Sequence, residues 1–318
     1  MHAKGGIHIT RLDDLYKKVS QSATSTVCVA CADDVNVLEA VESAKGMAKF
    51  ILIGNTEKIR HAAEEAKADI SRAEIIHESD VEAACKAAVE MVSSGKAQAL
   101  MKGQVDTSVI MKAVLNKEAG MRTGRKLSHL AVFELPAYHK LLFVTDAAIN
   151  IAPSVSDKIE IIHNAVEAVL SLGVEMPKVA MLAAKEKPDA KMPATMESAE
   201  IANYFKYLQT QDPAVHGADM DDVDLAKHFI IDGPLALDNA ISRESVEIKG
   251  ITSPVGGDAD ILVCPDIEAG NILYKALAFL VGAKNGGVVL GAKRPVILTS
   301  RADSAESKLI SIALGILS

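Results

Sequence analysis

Two stretches of the chain repeat one alternation, in which a β-branched apolar run precedes a segment with the period of an amphipathic helix. In the first stretch, residues 26–118, the strand-like runs are TVCVACA, AKFILIG and QALMKG. In the second, which begins at Leu130, they include LAVFELP, KLLFVTD, KVAMLAA, HFIID, ADILVCP and GGVVLG. Strand–helix alternation predicts parallel strands with helices on both faces of the sheet. We therefore expect an α/β fold with two doubly wound domains and mainly parallel sheets.

Composition limits the functions that such a fold can carry. Hydrophobic residues make up 49% of the chain and aromatic residues 3%, so aliphatic side chains fill the predicted cores. The net charge of −8 argues against a general nucleic-acid or polybasic membrane surface. The chain shows neither an apolar run of about 18 residues nor the apolar region of a signal peptide. We expect a cytoplasmic protein that binds neither nucleic acid nor membranes.

Several chemistry-bearing motifs are missing from the sequence. The fingerprints of nucleoside triphosphate and dinucleotide binding are absent, as are clustered zinc ligands and a serine-hydrolase elbow. Cys28 and Cys31 form a C-x-x-C, but an offset of three places them on opposite faces of a predicted strand. We expect no metal site, and we interpret these cysteines as core thiols rather than as a redox pair.

The turn after the last predicted strand concentrates polar groups. Residues 295–299, PVILT, predict a buried strand, and Ser300 and Arg301 follow at its carboxyl end. Asp303 or Ser304 then serves as the N-cap of an amphipathic helix. The free N–H groups of a first helical turn favour anions, and open α/β sheets bind ligands beyond the carboxyl ends of their strands. This turn therefore predicts a phosphate site.

Polar or small residues also follow apolar strands at two other places. They are Asp232 and Gly233 in IIDGPLALDNA, and Asp266, Gly270, Asn271 and Lys275 in ADILVCPDIEAGNILYKAL. Three such turns predict one shared cleft. Lys275 also fits a second interpretation, in which it extends from an apolar helix face to water. The stretch GMRTGRK, which contains Arg125, fits either a solvated turn or a flexible phosphate or coenzyme A contact.

Together with KGQVDTS, which begins at Lys102, these segments resemble the phosphate acetyltransferase and phosphate butyryltransferase family. The similarity extends from about Thr26 to the C-terminus, and DGPLALDNAI, PDIEAGNILYK and LTSRADSAE are most similar to the butyryltransferase branch. The resemblance implies reversible transfer of a short acyl group, butyryl in the first place, between coenzyme A and inorganic phosphate. It implies no tightly bound cofactor, since coenzyme A and phosphate are substrates. Acyl-CoA, phosphate and acyl phosphate are then the partners of a homo-oligomer of two or more copies.

The resemblance also implies how the chain divides. The last strand and helix would return to the first domain, so that domain comprises residues 1–128 and 291–318. The second domain, residues 129–290, would be inserted between them, with the active site in the interdomain cleft. The substrate- and coenzyme A-binding residues that the resemblance and the turns indicate are Lys102, Gly103, Arg125, Ser128, Asp232, Gly233, Asp266, Gly270, Asn271, Tyr274 and Lys275.

The implied reaction forms a tetrahedral oxyanion in either direction. Arg301 suits phosphate because its planar fork binds in bidentate fashion, and Ser300 can donate a hydrogen bond to the oxyanion. No activating base for a covalent acyl-serine is identified.

A base is needed to deprotonate the coenzyme A thiol. The acetyltransferase branch has an aspartate seven residues beyond the motif serine, where this chain has Ser307. The nearby carboxylates are Asp303, which capping would occupy, and Glu306, which a capping box would occupy. We favour Asp303 as the base, so the catalytic set is Ser300, Arg301 and Asp303.

Three other functions stay open at this point. The first is phosphate acetyltransferase, against which the butyryl-type segments and Ser307 weigh. The second is a noncatalytic acyl-CoA or phosphate sensor on the same scaffold, against which the intact Ser300 and Arg301 weigh. The third is a decarboxylating dehydrogenase of related two-domain architecture.

Overall fold

The computed structural model describes residues 9–210, 220–299 and 303–318. These residues group into two compact units. Of the described residues, the split unit contains 12–127, 284–299 and 303–318, and the inserted unit contains 9–11, 128–210 and 220–283. Within the described ranges, no helix is both long enough and apolar enough to span a membrane.

The split unit is an α/β layer structure. Its strands are β1 Ser25–Ala30, β2 Ala48–Gly54, β3 Glu74–His77, β4 Ala99–Lys102, β10 Lys284–Leu290 and β11 Val296–Ile297. Its helices are α1 Leu12–Gln21, α2 Val35–Ser43, α3 Thr56–Ala66, α4 Val81–Ser93, α5 Thr107–Val114 and α12 Ala305–Leu317. The strand order is β3-β2-β1-β4-β11-β10, and every pair is parallel except β10 with β11. Helices α2, α3 and α12 cover one apolar core, which includes Val29, Leu52 and Ile312.

The inserted unit has a sheet of its own. Its strands are β5 Ser128–Glu134, β6 Leu142–Thr145, β7 Lys178–Leu182, β8 Ile230–Leu235 and β9 Ile261–Val263. Its helices are α6 Val155–Ser171, α7 Pro193–Gln209, α8 Met220–Ala226, α9 Leu237–Ile241, α10 Arg243–Lys249 and α11 Ile267–Lys275, followed by a π-helical turn at Ala276–Leu280. The strand order is β5-β6-β9-β7-β8; β5 is antiparallel to β6 and the other pairs are parallel.

The predicted α/β class with mainly parallel sheets is confirmed. The composition of residues 209–224, rich in Asp with Pro and Gly, predicts a solvated loop, but this prediction is wrong from Met220 onward, where α8 begins. Strand β10 lies in the split unit, which it joins through its contacts with α12 and β11, whereas the sequence division placed it in the second domain. The inserted unit ends at Ala283. The division into two folding domains stays a prediction.

A network of charged groups joins the amino ends of β7 and β9 in the inserted unit. The carboxylate of Asp258 lies 2.7 Å from Lys178 Nζ, 2.7 Å from His139 Nε2 and 3.2 Å from Lys140 Nζ. Asp260 accepts from the Lys178 backbone N–H at 2.8 Å and pairs with Lys140 at 2.7 Å. Burial alone would raise the pKa of Asp258, but hydrogen bonds from Lys178 and His139 and the charge of Lys140 hold that pKa well below its usual range.

Candidate functional site

In the split unit, two predicted site segments leave the sheet side by side. Strand β4 ends at Lys102, and β11 runs parallel to it with Ile297 opposite Met101. The buried Thr299 follows β11, so the segments after both strands begin at the same carboxyl edge. Lys102 is buried, and its Nζ donates to the carbonyls of Gly103 at 3.3 Å and Val105 at 3.0 Å. Its ammonium group is thus held by its own loop.

Position 103 requires glycine, because the backbone there lies too close to its neighbours for a side chain. Its N–H donates to the carbonyl of Ala30 at 2.8 Å, and the next N–H, of Gln104, donates to Cys31 at 2.8 Å. A Cβ atom added to Gly103 would lie 2.1 Å from the Cys31 carbonyl oxygen. The loop after β4 is therefore fastened directly to the end of β1, and this fixes where Lys102 leaves the sheet.

The start of α12 decides between the two predicted caps. Ser304 is the N-cap, and its Oγ accepts from the backbone N–H of Ser307 at 3.1 Å. Glu306 instead pairs with Lys284 at 2.7 Å, so its predicted place in a capping box is wrong. Since Ser304 caps the helix, the carboxylate of Asp303 does not serve as the N-cap.

Lys308, which sequence reasoning missed, lies in the first turns of α12. The residue is 4% exposed, and its Nζ donates to the backbone carbonyl of Asp303 at 3.1 Å. A cation at the amino end of a helix opposes the helix dipole, and burial of its charge costs free energy. An anion bound nearby would offset both costs. The only signal in the sequence is a lysine directly before the mainly apolar run LISIALGIL.

Two predicted catalytic residues, Ser300 and Arg301, lie outside the described residues, and their roles stay predictions. Arg125 belongs to an exposed segment whose anchor is at the other edge of the split unit's sheet. Thr123 Oγ1 donates to Gly291 at 2.5 Å, and Arg122 bridges to Ala292, just before the amino end of β11. The structure does not place this anchor beside Lys102.

In the inserted unit, several predicted site residues gather at the carboxyl edge of β6 and β9. Strand β5 runs antiparallel to β6, so Ser128 at its start lies at this edge. Ser128 is buried, and its Oγ accepts from Asn164 Nδ2 at 2.9 Å. The ring of Tyr274 lies edge-on to Phe133, with 5.3 Å between their centroids, and 6.0 Å from His129. Ser128 thus lies at this edge, whereas Tyr274 packs along the face of β5 that carries His129 and Phe133.

Helix α11 carries the remaining predicted residues of this edge. Asp266 is its N-cap and accepts from the Ala269 N–H at 2.8 Å. Asn271 Nδ2 donates to the carbonyl of Ala147 at 3.1 Å. A Cβ added to Gly270 would lie 2.3 Å from the Asp146 carbonyl oxygen, so this position requires glycine. Lys275 lies farther along, its Nζ 5.8 Å from the centre of the Phe279 ring.

Sequence analysis did not identify the turn that α11 contacts. Asp146 follows β6 directly, is 3% exposed, and accepts hydrogen bonds from the N–H groups of Ala148 at 2.8 Å and Ile149 at 3.0 Å. It also accepts from the backbone N–H and side-chain Nδ2 of Asn150, at 3.3 and 2.6 Å. A signal for this turn was available in the sequence. Aspartate often starts a turn by accepting hydrogen bonds from the backbone N–H groups that follow it.

The placement of Asp232 and Gly233 differs from prediction. Strand β8 continues to Leu235, so both residues lie within the strand, and the prediction that they follow its end is wrong. Asp232 stands opposite Ala180 and pairs with Lys206 of α7 at 2.6 Å. A Cβ on Gly233 would lie 2.5 Å from that of Met181. In this unit both residues serve packing between strand, helix and neighbouring strand.

The thiols and potential metal ligands are arranged as core groups. All four cysteines are free and buried, and burial raises the pKa of both Cys28 and Cys264 to about 12. Cys31 has Cys85 as its thiol partner, and their hydrogen bond raises the pKa of Cys31. In the part of the chain that the structure describes, no group of three or more His, Cys, Asp or Glu side chains could hold a metal ion.

Comparison with known proteins identifies the family. A family model described as "Phosphate acetyl/butaryl transferase" matches residues 78–316. The chain belongs to this family. Among its relatives, the phosphate butyryltransferase of Clostridium acetobutylicum is 42% identical over 97% of this chain and 98% of its own length. The probable phosphate butyryltransferase of Bacillus subtilis is 44% identical over 96% of this chain and 97% of its own.

Other members of the family extend the comparison. The phosphate acetyltransferase of Thermotoga maritima is 41% identical over 91% of this chain and 93% of its own length. A solved structure described as a branched-chain phosphotransacylase from Enterococcus faecalis V583 superposes with a TM-score of 0.78. It is 36% identical and covers 92% of this chain and 98% of that one. The resemblance stated from the sequence is confirmed, and the chain is an enzyme of the phosphate acyltransferase class.

Proposed function

We propose that the enzyme moves a short acyl group, butyryl in the first place, reversibly between coenzyme A and inorganic phosphate. This proposal rests on sequence identity to three proteins named phosphate butyryltransferase or probable phosphate butyryltransferase. The identity is 42–44% over 96–97% of this chain. Two relatives named phosphate acetyltransferase are 39% and 41% identical over 94% and 91% of this chain. Acetyl is therefore the next most favoured acyl group after butyryl.

The proposed chemistry begins with attack of a phosphate oxygen on the thioester carbonyl. Arg301 holds the phosphate, and Ser300 donates a hydrogen bond to the oxyanion of the tetrahedral intermediate. The intermediate then breaks its C–S bond and expels coenzyme A thiolate, which takes a proton from Asp303. In the reverse direction Asp303 removes the proton of the coenzyme A thiol, the thiolate attacks the carbonyl of the acyl phosphate, and the C–O bond to phosphate breaks to release inorganic phosphate. The Ser304 cap supports this assignment for Asp303, since the helix does not use that carboxylate as its N-cap. The buried ammonium group of Lys308 adds a positive charge at the same helix end.

Each unit contributes residues to which we assign substrate binding. In the split unit these are Lys102, Gly103 and Arg125. In the inserted unit they are Ser128, Asp266, Gly270, Asn271, Tyr274 and Lys275, most of which meet at one sheet edge. Asp232 and Gly233 keep a proposed binding role beside the packing role described above. Coenzyme A and phosphate are substrates in this proposal, and it includes no tightly bound cofactor.

A branched short acyl group is a second candidate. It is favoured by one observation, the 36% identity to the protein described as a branched-chain phosphotransacylase. One methylene in an apolar pocket changes discrimination by only about 1 to 3 kcal/mol, so activity with neighbouring chain lengths is expected in either case.

Thiol release from acyl-CoA, with and without phosphate, tests the function. Acetyl-, propionyl-, butyryl- and isobutyryl-CoA are compared, and we expect phosphate-dependent release that is fastest with butyryl-CoA. Fastest release from isobutyryl-CoA would favour the branched candidate, and from acetyl-CoA the acetyltransferase. Equal release without phosphate would make the protein a thioesterase. Coenzyme A binding without turnover would make it a sensor, and a nicotinamide-dependent absorbance change with hydroxy acids would make it a dehydrogenase.

We also propose a cytoplasmic enzyme that forms a homo-oligomer of two or more copies. Free thiols in all four cysteines support a reducing compartment. Exposed apolar side chains on α11 and the turn after it support self-association: Ile272, Phe279, Leu280 and Val281. Light scattering on the purified chain measures the number of copies, and a mass of one copy would contradict the oligomer.

A further inference from the structure

The turn after β6 forms a rigid structure around one carboxylate. Asp146 Oδ1 accepts from the N–H groups of Ala148 and Ile149, and Oδ2 accepts from both donors of Asn150. Backbone donors that lose a buried acceptor leave an unmet hydrogen bond, which costs more than the average bond contributes. The path of the chain from residue 146 to residue 150 therefore depends on the carboxylate.

Helix α11 is fastened to this turn from its first residue onward. The N–H of Ile267 donates to the carbonyl of Ile151 at 3.0 Å, and Asn271 Nδ2 donates to Ala147 at 3.1 Å. Between these two contacts, Gly270 brings the helix backbone against the Asp146 carbonyl, where a Cβ would lie 2.3 Å from the oxygen. A shift of the turn would thus move the beginning of α11.

The strands beneath the turn and the helix are neighbours. Strands β6 and β9 are parallel, with Thr145 opposite Val263, and the Cys264 N–H donates to the Thr145 carbonyl at 2.7 Å. Asp146 and Asp266 therefore follow adjacent strand ends, but their carboxylates have different uses. The carboxylate of Asp266 caps α11, whereas that of Asp146 holds the turn on which α11 rests.

We propose that Asp146 is a positioning residue for acyl-CoA, acting through the turn at residues 146–150 on the beginning of α11. The inference rests on the proposed function, which assigns Asp266, Gly270, Asn271 and Tyr274 of this region to substrate binding. Asp146 touches no substrate itself. Its substitution displaces the acyl-CoA contacts and leaves the phosphate contacts, which are assigned to the split unit, in place.

Asp146→Asn tests the proposal, because an amide replaces one acceptor oxygen with a donor that faces other donors. We expect the KM for butyryl-CoA to rise about tenfold to hundredfold, as lost buried hydrogen bonds predict. The KM for phosphate should stay within about twofold, a split that general loss of structure would not produce. Gly270→Ala should give the same split by pushing α11 away from an intact turn. It also carries the test if Asp146→Asn does not fold.

Asp260→Asn is the matched control, since it alters a buried carboxylate that accepts backbone and lysine donors at the opposite edge of the same sheet. It should lower the melting temperature without changing the KM for acyl-CoA. Equal changes in both KM values for Asp146→Asn, or no change in a folded variant, would overturn the proposal. Wild-type enzyme without phosphate-dependent thiol release would refute the proposed function instead. Calorimetric titration with coenzyme A would then decide the positioning role, which requires weaker binding by both variants than by wild type.

Discussion

At the scale of the residue, the structure separates two roles that the sequence left joined at Asp303. Helix capping belongs to Ser304, so a substitution at Asp303 can test proton transfer without removing the cap. The same separation could not be read from the sequence, because aspartate and serine are both good N-caps and stand next to each other here. Only the backbone conformation at the start of α12 decides between them.

Asp303→Asn should lower the rate of thiol attack on butyryl phosphate by about two to four orders of magnitude, as loss of a general base predicts. Its melting temperature should match that of wild type. Ser304→Ala is the paired control, and it should lower the free energy of unfolding by about 1 kcal/mol. Stopped-flow rates across a pH series provide the measurement. A normal rate with an unaltered pH profile in Asp303→Asn would assign the base to another group.

At the scale of the element, local signals predicted more than contacts between distant segments did. The apolar run AKFILIG predicted β2 with its observed bounds, and TVCVACA predicted β1 within two residues at each end. The predicted strand ended before β8 does, because Asp232, Gly233 and Pro234 are typical of a loop. In the structure Asp232 pairs with Lys206 and Gly233 packs against Met181, so these residues lie within the sheet. Asp146 and Lys308 were missed although their hydrogen-bond partners lie within five residues along the chain, because an aspartate or a lysine does not by itself indicate burial.

The charged network at the amino ends of β7 and β9 should make the inserted unit sensitive to acid. The pKa of Asp258 is held below its usual range, so its ionised form stabilises the fold at pH values above about 4, the ordinary range for aspartate. This contribution should fall progressively as the pH drops below about 4 towards the folded-state pKa. Asp258→Asn should therefore be less stable than wild type at neutral pH and lose less stability on acidification.

Urea unfolding measured between neutral pH and about pH 3 tests this expectation. Asp224→Asn, which removes the same charge from an exposed position on α8, is the control and should follow wild type. Parallel curves for Asp258→Asn and wild type would mean that the network contributes no pH-dependent stability.

At the scale of the whole molecule, the chain divides at points that periodicity alone does not reveal. Strand β10 has the same apolar character as the strands before it, so the sequence assigned it to the segment that precedes it. Its contacts with α12 and β11 place it in the split unit. The inserted unit, by contrast, has a sheet of five strands and its own apolar core, in which Phe133, Leu142 and Leu262 take part.

We expect residues 128–283 to fold when produced alone, because a domain of about 150 residues can bury a core large enough for cooperative folding. Thermal unfolding followed by circular dichroism should show one cooperative transition. Phe205→Ala in the same fragment should lose about 3 to 5 kcal/mol, since Phe205 is fully buried against Phe229. The fragment should transfer no acyl group, because Lys102, Ser300, Arg301 and Asp303 are missing from it. A fragment without a cooperative transition, or one insensitive to Phe205→Ala, would show that the inserted unit is not a folding domain.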